Sequence, residues 1–406
     1  MQFYHFSEQP YTDAWSLGLD SLRNTIPNRL CDPQVASRIY HEALDEWQLC
    51  DELGINCMLN EHHTSATCLS ESPNIQLGIL ARQTRNVRIL GLGHPIAVRN
   101  DPVRLAEELA MIDCVSRGRL DIGFVKGAPY EYSPANANPV GITERFWEAN
   151  DLILKALSTR DGPFSFEGEH HHYRQVNIWP RPWQDPHPPV WVTVGSPEST
   201  LEVATRQHRM AVFLAGWNVG KLFDLYRKRT AEVGYMPPSV DRFGYMALVG
   251  VGDTQEEGHR RAREIQGYLR TTGIIGEAYV NPPGYMSVQG NVKWLRQNQV
   301  RGRSGNHFPA TTRDGRVINQ ATAPIEDLVA AAVCFAGNPD QVYEQICTFV
   351  DAVGGIGHLF MMCHGGLMSH KDASGNLTLF AREVMPRLKE RYPVLQEGVR
   401  RQPLAA

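Results

Sequence analysis

Residues 57–91, CMLNEHHTSATCLSESPNIQLGILARQTRNVRILG, carry the pattern that decides the fold. Short apolar runs at Cys57 to Asn60 and at Arg88 to Gly91 are each typical of a buried strand. Between them, Ser72 to Thr84 has a helical pattern. A strand, a helix and a second strand in this order predict a parallel pair of strands joined by a right-handed crossover.

The same alternation recurs along the 406 residues of the chain. Strand-like runs lie at Gln2 to Phe6, Cys57 to Asn60, Arg88 to Gly91, Leu120 to Gly123, Val190 to Val194, Met210 to Phe213, Tyr245 to Val251 and His358 to Met362. Helical patterns lie at Gln34 to Leu53, Ser72 to Thr84, Pro102 to Val115, Thr143 to Leu157, Pro197 to Gln207, Asn218 to Glu232, Thr254 to Arg270 and Pro339 to Val353. Eight such units predict an α/β fold, a closed (β/α)8 TIM barrel, in preference to an open doubly wound sheet. We therefore expect residues 1–406 to form a single domain.

Two stretches interrupt the alternation. Residues 162–179 alternate aromatic and polar side chains around Glu167-Gly168-Glu169, which predicts a β-hairpin inserted before the fifth barrel strand. Residues 273–323 are rich in Gly, Asn, Arg and Pro and show little periodicity. A segment of that length inside a compact domain is usually a functional lid or disordered, and we expect a lid-like insertion here.

Composition and charge exclude several classes of protein. The chain has 40 Lys and Arg against 44 Asp and Glu, and this net charge of -4 argues against a nucleic-acid partner. Hydrophobic residues make up 42% of the chain, which argues against disorder. No apolar run is long enough to span a membrane, and the N-terminus lacks the pattern of a secretory signal. We expect a soluble cytoplasmic protein with no membrane partner.

Chemistry in a (β/α)8 barrel is expected where the strands end, at the carboxyl edge of the sheet. The second strand ends in Asn60-Glu61-His62-His63, which places one carboxylate and two imidazoles in succession. Because side chains alternate along a strand, one imidazole should face the pocket while Glu61 or His63 supports the wall. A structural hydrogen bond is the alternative for any single histidine. The run as a whole favours a catalytic site that contains Glu61, His62 and His63.

A second candidate site follows the fourth and fifth strands. Gly195-Ser196-Pro197 marks the start of a helix, whose backbone N–H groups, with the hydroxyls of Ser196 and Ser199, suit a phosphate monoester. Lys126 follows the neighbouring strand and could neutralise part of that charge. An ordinary helix cap at Ser196 and a solvated lysine are the plainer alternatives. The coincidence of the two features on adjacent strands favours the anion site.

The third strand runs into Gly93-His94-Pro95. This sequence suggests a bulge or an unusual peptide where a flat ligand approaches the backbone, although a simple turn is the alternative. The chain has neither a dinucleotide-binding Gly-x-Gly-x-x-Gly nor a P-loop after any predicted strand.

The run His170-His171-His172 is not expected to bind a metal. It lies in the predicted hairpin, where consecutive side chains face opposite ways, and no carboxylate or cysteine spacing completes a set of ligands. We therefore predict no metal site.

Together these residues resemble the bacterial luciferase-like flavin-dependent monooxygenases over nearly the whole chain. The shared motifs are Asn60-Glu61-His62-His63; Asp101-Pro102-Val103-Arg104-Leu105-Ala106-Glu107-Glu108, with Asp113 and Ser116-Arg117-Gly118-Arg119; the Phe-x-x-x-Gly hairpin of Phe164 to Tyr173; Pro188-Pro189-Val190-Trp191 before Gly195-Ser196; and Gly337-Asn338-Pro339. The Ser-Arg-Gly-Arg segment and the Glu-His-His strand end are fairly specific in combination, whereas either alone would not be.

The resemblance implies a (β/α)8 barrel, usually a homodimer, that binds FMN as FMNH2 supplied by a separate flavin reductase. It implies that His62 is the active-site histidine that supports a flavin C4a-(hydro)peroxide formed with O2. The residues that the resemblance places at the FMN phosphate are Lys126, Gly195, Ser196 and Ser199. Gly93 and His94 align approximately with a non-prolyl cis peptide near the flavin ring. Val125 stands where luciferase has a reactive cysteine, so light emission is not implied.

The resulting hypothesis is an FMNH2- and O2-dependent monooxygenase. Aromatic residues near the predicted rim suggest a moderately hydrophobic organic substrate; they are Tyr130, Tyr132, Phe213 and Trp217. The motifs do not distinguish hydroxylation from Baeyer–Villiger insertion. Three alternatives stay open: a deazaflavin-dependent hydride-transfer oxidoreductase, a non-catalytic flavin-binding protein, and a metal-dependent barrel hydrolase that uses His62 and His63.

Overall fold

The computed structural model describes residues 1–292, Leu295 and residues 309–393. Its strands are β1 (Gln2–Ser7), β2 (Asn56–Leu59), β3 (Ile89–Pro95), β4 (Leu120–Val125), β5 (Phe164–Glu167), β6 (His172–Val176), β7 (Val190–Thr193), β8 (Arg209–Phe213), β9 (Phe243–Val251), β10 (Pro309–Thr311), β11 (Val317–Asn319), β12 (Cys334–Gly337) and β13 (His358–His364). The α-helices are Pro33–Leu53, Pro73–Gln83, Pro102–Ser116, Ile142–Ser158, Pro197–Thr205, Val219–Glu232, Gln255–Thr271, Glu277–Val280, Ile325–Ala330, Pro339–Ala352, His370–Leu379 and Met385–Arg391.

Eight parallel strands close into a barrel. Around the barrel the order is β1, β2, β3, β4, β7, β8, β9 and β13, and β13 pairs again with β1. At least one helix separates each of these strands from the next along the chain. The predicted (β/α)8 barrel is confirmed, and each of the eight predicted strands overlaps a strand of the barrel.

Alternation along the strands divides the apolar side chains into two clusters. The ring of Phe360 lies 5.3 Å from that of Tyr4 and 5.2 Å from that of Trp191, within one cluster. Phe3, the neighbour of Tyr4, belongs to the other cluster, together with Trp47 of the first helix. Because adjacent residues of a strand face opposite sides, the Tyr4 cluster fills the barrel and the Phe3 cluster joins the barrel to its helices.

Several helices begin at a polar cap followed by proline. Asp32 Oδ1 accepts from the N–H of Gln34 at 2.8 Å, and Asp101 Oδ1 accepts from the N–H of Arg104 at 3.0 Å. Proline suits the next position because the first helical N–H has no partner within the helix. No helix within the described ranges is both long and apolar enough to cross a membrane.

A buried polar network closes the amino end of the barrel. Asp121, near the start of β4, accepts from the Tyr4 hydroxyl at 3.1 Å and from Arg88 Nη2 at 2.5 Å. Arg209, the first residue of β8, pairs with Asp241 at 2.5 Å and lies 3.7 Å from Asp121. Because paired charges fill this end, the carboxyl end is the one where a ligand can bind.

The ninth parallel strand, β12, was missed in the sequence. It pairs with Leu248 to Val251 of β9, along the edge where β8 pairs with Phe243 to Met246. β12 therefore extends the sheet beyond the end of β8 without opening the barrel. The run ends in glycine, which is depleted in strands, so it gives little local signal.

A hairpin lies within residues 162–179, where β5 and β6 pair antiparallel. Glu148, on the helix Ile142–Ser158, accepts from three successive backbone N–H groups of the turn, at 2.8, 2.9 and 2.7 Å; these belong to Glu169, His170 and His171. The histidine run is therefore part of an anchored turn. Among the residues that the structure describes, no group of three His, Cys, Asp or Glu side chains is arranged to hold a metal ion.

The segment 273–323, predicted as a lid-like insertion, is described in part. It contains the short helix Glu277–Val280 and the antiparallel pair of β10 and β11. Residues 293, 294 and 296–308 lie outside the described residues, so the lid stays a prediction.

Candidate functional site

Three barrel strands bring polar side chains to one part of the carboxyl edge. Glu8 follows β1, Asn60 to His63 follow β2, and Lys126 to Glu131 follow β4. Asn60 Nδ2 donates to Glu8 Oε2 at 2.8 Å, which joins the first two strand ends. The predicted site at the end of β2 thus includes a carboxylate from β1 that the sequence analysis missed.

His62 lies between two buried carboxylates. Its Nδ1 is 2.7 Å from Glu131 Oε1, and its Nε2 is 4.0 Å from Glu8 Oε2. The His62 side chain is 21% exposed, whereas that of Glu131 is 1% exposed. Because a carboxylate only accepts hydrogen bonds, Glu131 holds a proton on Nδ1. In the neutral ring, Nε2 is then the nitrogen that can accept a proton.

Glu131 is itself held in place by the turn that follows β4. Its Oε2 accepts from the N–H of Ala128 at 2.6 Å, and it is the last residue of the 3-10 helix Pro129–Glu131. Sequence reasoning missed Glu131 as a partner of His62. The sequence signals only the helix start, since proline at the first helical position and glutamate at the third are typical of it, and this does not identify the partner.

Glu61 and His63 form a second pair beside the site. Glu61 Oε1 lies 3.0 Å from His63 Nε2, and its Oε2 accepts from Arg99 Nη2 at 2.5 Å. Burial would raise the pKa of Glu61, but the hydrogen bond from His63 and the charge of Arg99 hold it below its usual value. The same hydrogen bond raises the pKa of His63. The structure thus places Glu61 and His63, predicted as catalytic together with His62, in a pair that supports the strand end.

The strand end at Gly93 and His94 is closely packed. The peptide bond before Gly93 is cis, and a Cβ on Gly93 would lie 2.6 Å from Val125 Cγ1. His94 has no exposed surface; its Nδ1 is 3.1 Å from the Gly123 carbonyl oxygen, and its Nε2 is 2.7 Å from Asn74 Oδ1. Burial lowers the pKa of His94 to about 4. Its imidazole therefore holds β3 in place, and the predicted cofactor contact of Gly93 and His94 stays a prediction for their backbone.

Lys126 and Ser196 extend from neighbouring strand ends. Phe124 of β4 lies opposite Val192 of β7, and the two residues follow these strands. The Lys126 ammonium lies over the ring of Tyr285, 4.7 Å from its centroid. Burial lowers the pKa of Lys126. The structure therefore brings the predicted anion-binding strand ends side by side.

The turn after β7 caps a helix. Ser196 Oγ accepts from the N–H of Ser199 at 3.3 Å, and Ser199 Oγ accepts from the N–H of Ser196 at 3.3 Å. This capping box is the plainer of the two interpretations of the sequence. Gly195 is exposed, and a Cβ there would contact nothing within 4 Å. The turn thus caps Pro197–Thr205 and leaves open space beside Gly195.

The chain matches the model of one known protein family over most of its length. The model of the luciferase-like monooxygenases matches residues 25–354. The oxygenase component of a flavin-dependent trigonelline monooxygenase from Acinetobacter baylyi is 31% identical over 313 residues, which cover 74% of this chain and 82% of the relative.

Solved structures share the fold. The oxygenating constituent of 3,6-diketocamphane monooxygenase from Pseudomonas putida, in complex with FMN, has a TM-score of 0.68 at 20% identity, covering 95% of this chain and 98% of that chain. An F420-dependent secondary alcohol dehydrogenase has a TM-score of 0.64 at 14% identity, covering 95% of this chain and 99% of that chain. At these identities the likeness is one of fold. The family match over residues 25–354 shows that the chain belongs to the luciferase-like monooxygenases.

Proposed function

We propose that the protein is the oxygenase component of a two-component FMNH2-dependent monooxygenase. A separate flavin reductase supplies FMNH2, and the enzyme uses O2 to oxygenate a moderately hydrophobic organic substrate. The observation that carries the proposal is His62 at the carboxyl edge of the barrel, held at Nδ1 by buried Glu131. The trigonelline monooxygenase relative is named as an oxygenase component, which supports a two-component system.

The donors after β4 and β7 fit the phosphate of FMN. The described contact of the Lys126 ammonium is with an aromatic ring, so its charge is available to an anion. Ser196 and Ser199 place hydroxyls at a helix N-terminus, where the helix dipole favours negative charge. Gly195 leaves room beside them, and Gly93 would lie by the flavin ring. When bound, reduced flavin supplies the electrons and the site at which O2 is activated.

His62 transfers the proton in this proposal. With Nδ1 bonded to Glu131, Nε2 can accept a proton from the reacting group and return it later. Glu8, 4.0 Å from Nε2, stabilises the positive charge of the protonated ring. Tyr130 is buried beside Nδ1 and helps to keep water from that side of the imidazole.

A reductase-coupled screen under isotopically labelled O2 tests the function. The purified protein is combined with a flavin reductase, NADH, FMN and a panel of ketones, thioethers and nitrogen heterocycles. We expect one labelled oxygen atom in the product, formed in step with NADH consumption. Substrate turnover that needs a deazaflavin and incorporates no label would contradict the proposal and support hydride transfer. Release of hydrogen peroxide with every substrate would support a non-catalytic flavin-binding protein.

We also propose that the enzyme is a homodimer. The helices Pro73–Gln83 and Pro102–Ser116 pack side by side and expose apolar side chains. These side chains are Ile75, Ile79, Met111 and Val115. Exposed apolar side chains on two packed helices suit an interaction surface, and two copies of one surface can meet about a two-fold axis.

Replacing Met111, which is 61% exposed, with glutamate is expected to weaken the dimer at least about ten-fold, because a charge would be buried in an apolar contact. Sedimentation velocity over a range of concentrations measures the effect. Val140→Glu is the matched control, since Val140 is 60% exposed and lies outside both helices. A monomeric wild-type protein, or an unchanged dimer in Met111→Glu, would refute this interface.

A further inference from the structure

Arg23 lies where three segments meet beside the site. The backbone N–H of Ala66, in the loop after β2, donates to the Leu22 carbonyl oxygen at 2.9 Å. On the other side, the Leu22 N–H donates to the Ile274 carbonyl oxygen at 2.9 Å. Arg23 has no exposed surface. The segment that carries it is thus fixed between the loop of His62 and the start of the insertion.

The guanidinium of Arg23 is close to the proposed proton-transfer group. Its Nε donates to the Thr272 carbonyl oxygen at 3.2 Å, and its Nη2 donates to Thr272 Oγ1 at 2.8 Å. The guanidinium carbon Cζ lies over the ring of Tyr130, 4.3 Å from the ring centroid. The Tyr130 hydroxyl lies 3.3 Å from Nδ1 of His62. One aromatic side chain therefore separates Arg23 from His62.

The third guanidinium nitrogen, Nη1, is shielded from solvent and has no hydrogen-bond partner among the described residues. Within the described part of the chain, no carboxylate forms an ion pair with Arg23. Glu8 is the carboxylate whose charge acts on Arg23, but it accepts from Asn60 and faces His62. A buried charge without a partner is costly. Among the described residues, Nη1 is therefore the donor of Arg23 that is left for a negatively charged group of a ligand.

We propose that Arg23 is a specificity-determining residue that binds a carboxylate of the substrate through Nη1. The inference rests on the proposed function, because it places the substrate beside His62. It narrows the substrate class to moderately hydrophobic carboxylic acids in their monoanionic form.

The local charges favour a carboxylate over a phosphate. Glu8 and Glu131 already flank His62, so a dianion would meet two negative charges with one guanidinium to balance them. Nε and one N–H of Nη2 of Arg23 donate to Thr272, which leaves Nη1 as the nitrogen without a partner among the described residues. A single carboxylate matches this single free donor group.

Calorimetric titration with a matched pair of probes tests the inference. Benzoate and benzamide have the same shape, but benzoate alone is charged, and phenyl phosphate is the dianionic probe. They are titrated into the FMN-loaded full-length wild-type protein, Arg23→Gln, Arg23→Lys and the surface control Arg387→Gln. We expect wild type and the control to prefer benzoate about 10- to 100-fold over both other probes. Arg23→Gln should lose this preference, and Arg23→Lys should keep part of it.

The inference would be overturned by equal binding of benzoate and benzamide by wild type, by no binding of benzoate, or by an unchanged preference in Arg23→Gln. The ratio of the benzoate and benzamide affinities is measured on wild type alone, so it tests the inference even if Arg23→Gln fails to fold. A preference for phenyl phosphate would also overturn it. Binding of FMN is measured separately. Protein that binds FMN but not benzoate contradicts this inference alone, whereas protein that binds benzoate but no flavin contradicts the proposed function.

Discussion

Replacing His62 with alanine is expected to lower kcat for oxygenation by about 10²- to 10⁴-fold, the range typical of losing a positioned acid–base group. The imidazole is the partly exposed member of its cluster, and Glu131 fixes its Nδ1. Reduced FMN should still bind, because the donors assigned to its phosphate lie after β4 and β7. Steady-state kinetics with the substrate from the reductase-coupled screen, together with an anaerobic flavin titration, measure both effects.

Replacing Glu131 with glutamine keeps the imidazole of His62 but removes the carboxylate that orients it, so this variant tests how the orientation of His62 affects catalysis. The amide can donate to Nδ1 as well as accept, so it no longer selects the proton position on the ring. We expect a loss of kcat smaller than that of His62→Ala, with KM little changed. His172→Ala is the control, because His172 lies on the hairpin with its side chain 61% exposed.

A wild-type kcat in His62→Ala would show that His62 does not transfer the proton.

Replacing Glu46 with glutamine is expected to reduce the free energy of unfolding by about 3–5 kcal/mol, as for a buried ion pair that loses one partner. Glu46 Oε2 lies 2.9 Å from His364 Nδ1 and 3.2 Å from His5 Nε2, and its Oε1 lies 2.8 Å from His370 Nδ1. The Glu46 side chain has no exposed surface. This cluster joins the first helix to β1, to β13 and to the helix His370–Leu379, where the barrel closes.

The same cluster predicts how stability depends on pH. Burial opposes ionisation of Glu46, but the charge and hydrogen bond of His364 hold its pKa well below the usual 4.5. Burial would lower the pKa of His364, but the charge of Glu46 raises it above 6.5, and the hydrogen bond to Glu46 raises that of His370. The contribution of His364 and His370 is full below pH 6.5 and is lost as pH rises through their raised pKa values. The Glu46 contribution is present above pH 4.5 and is lost as pH falls towards the depressed value.

Urea denaturation at several pH values between 4 and 9 tests both statements about Glu46. Wild-type stability should decline above pH 6.5, and Glu46→Gln should remove most of that decline. Glu52→Gln, an exposed substitution on the same helix, should leave the free energy of unfolding within about 0.5 kcal/mol of wild type. If Glu46→Gln is as stable as Glu52→Gln, the cluster does not stabilise the barrel closure.

The barrel could be predicted from the sequence because its signal is local and repeated. Parallel strands covered on both faces give continuous apolar runs, and each is followed by a helical pattern. β12 escaped because its place on the edge of β9 is decided by tertiary contact, which the local pattern does not show.

The candidate site could be predicted only in part. Asn60 to His63 are consecutive after a predicted strand, so their placement follows from one local pattern. Glu131 is 69 residues from His62, and Glu8 is 52 residues from Asn60. Closure of the barrel brings these carboxylates together, and a single glutamate after a strand gives no sign of its partner.

The direction of the His94 side chain could not be predicted either. Gly93-His94-Pro95 after the third strand suggested an unusual peptide where a flat ligand approaches the backbone, and that cofactor contact stays a prediction. The pairing of β3 with β4 is irregular between Gly91 and His94, and the ring turns into the protein, where the Gly123 carbonyl and Asn74 take both nitrogens. The direction of a side chain at a strand end depends on such an irregularity, which the sequence does not specify.

An anaerobic titration with reduced FMN, oxidised FMN and a deazaflavin tests whether the protein is built to bind reduced FMN. We expect the wild-type chain to bind one reduced FMN in preference to the other two, and Lys126→Ala and Ser196→Ala each to weaken this binding. Preferential binding of the deazaflavin, or no binding of reduced FMN by folded wild-type protein, would contradict it.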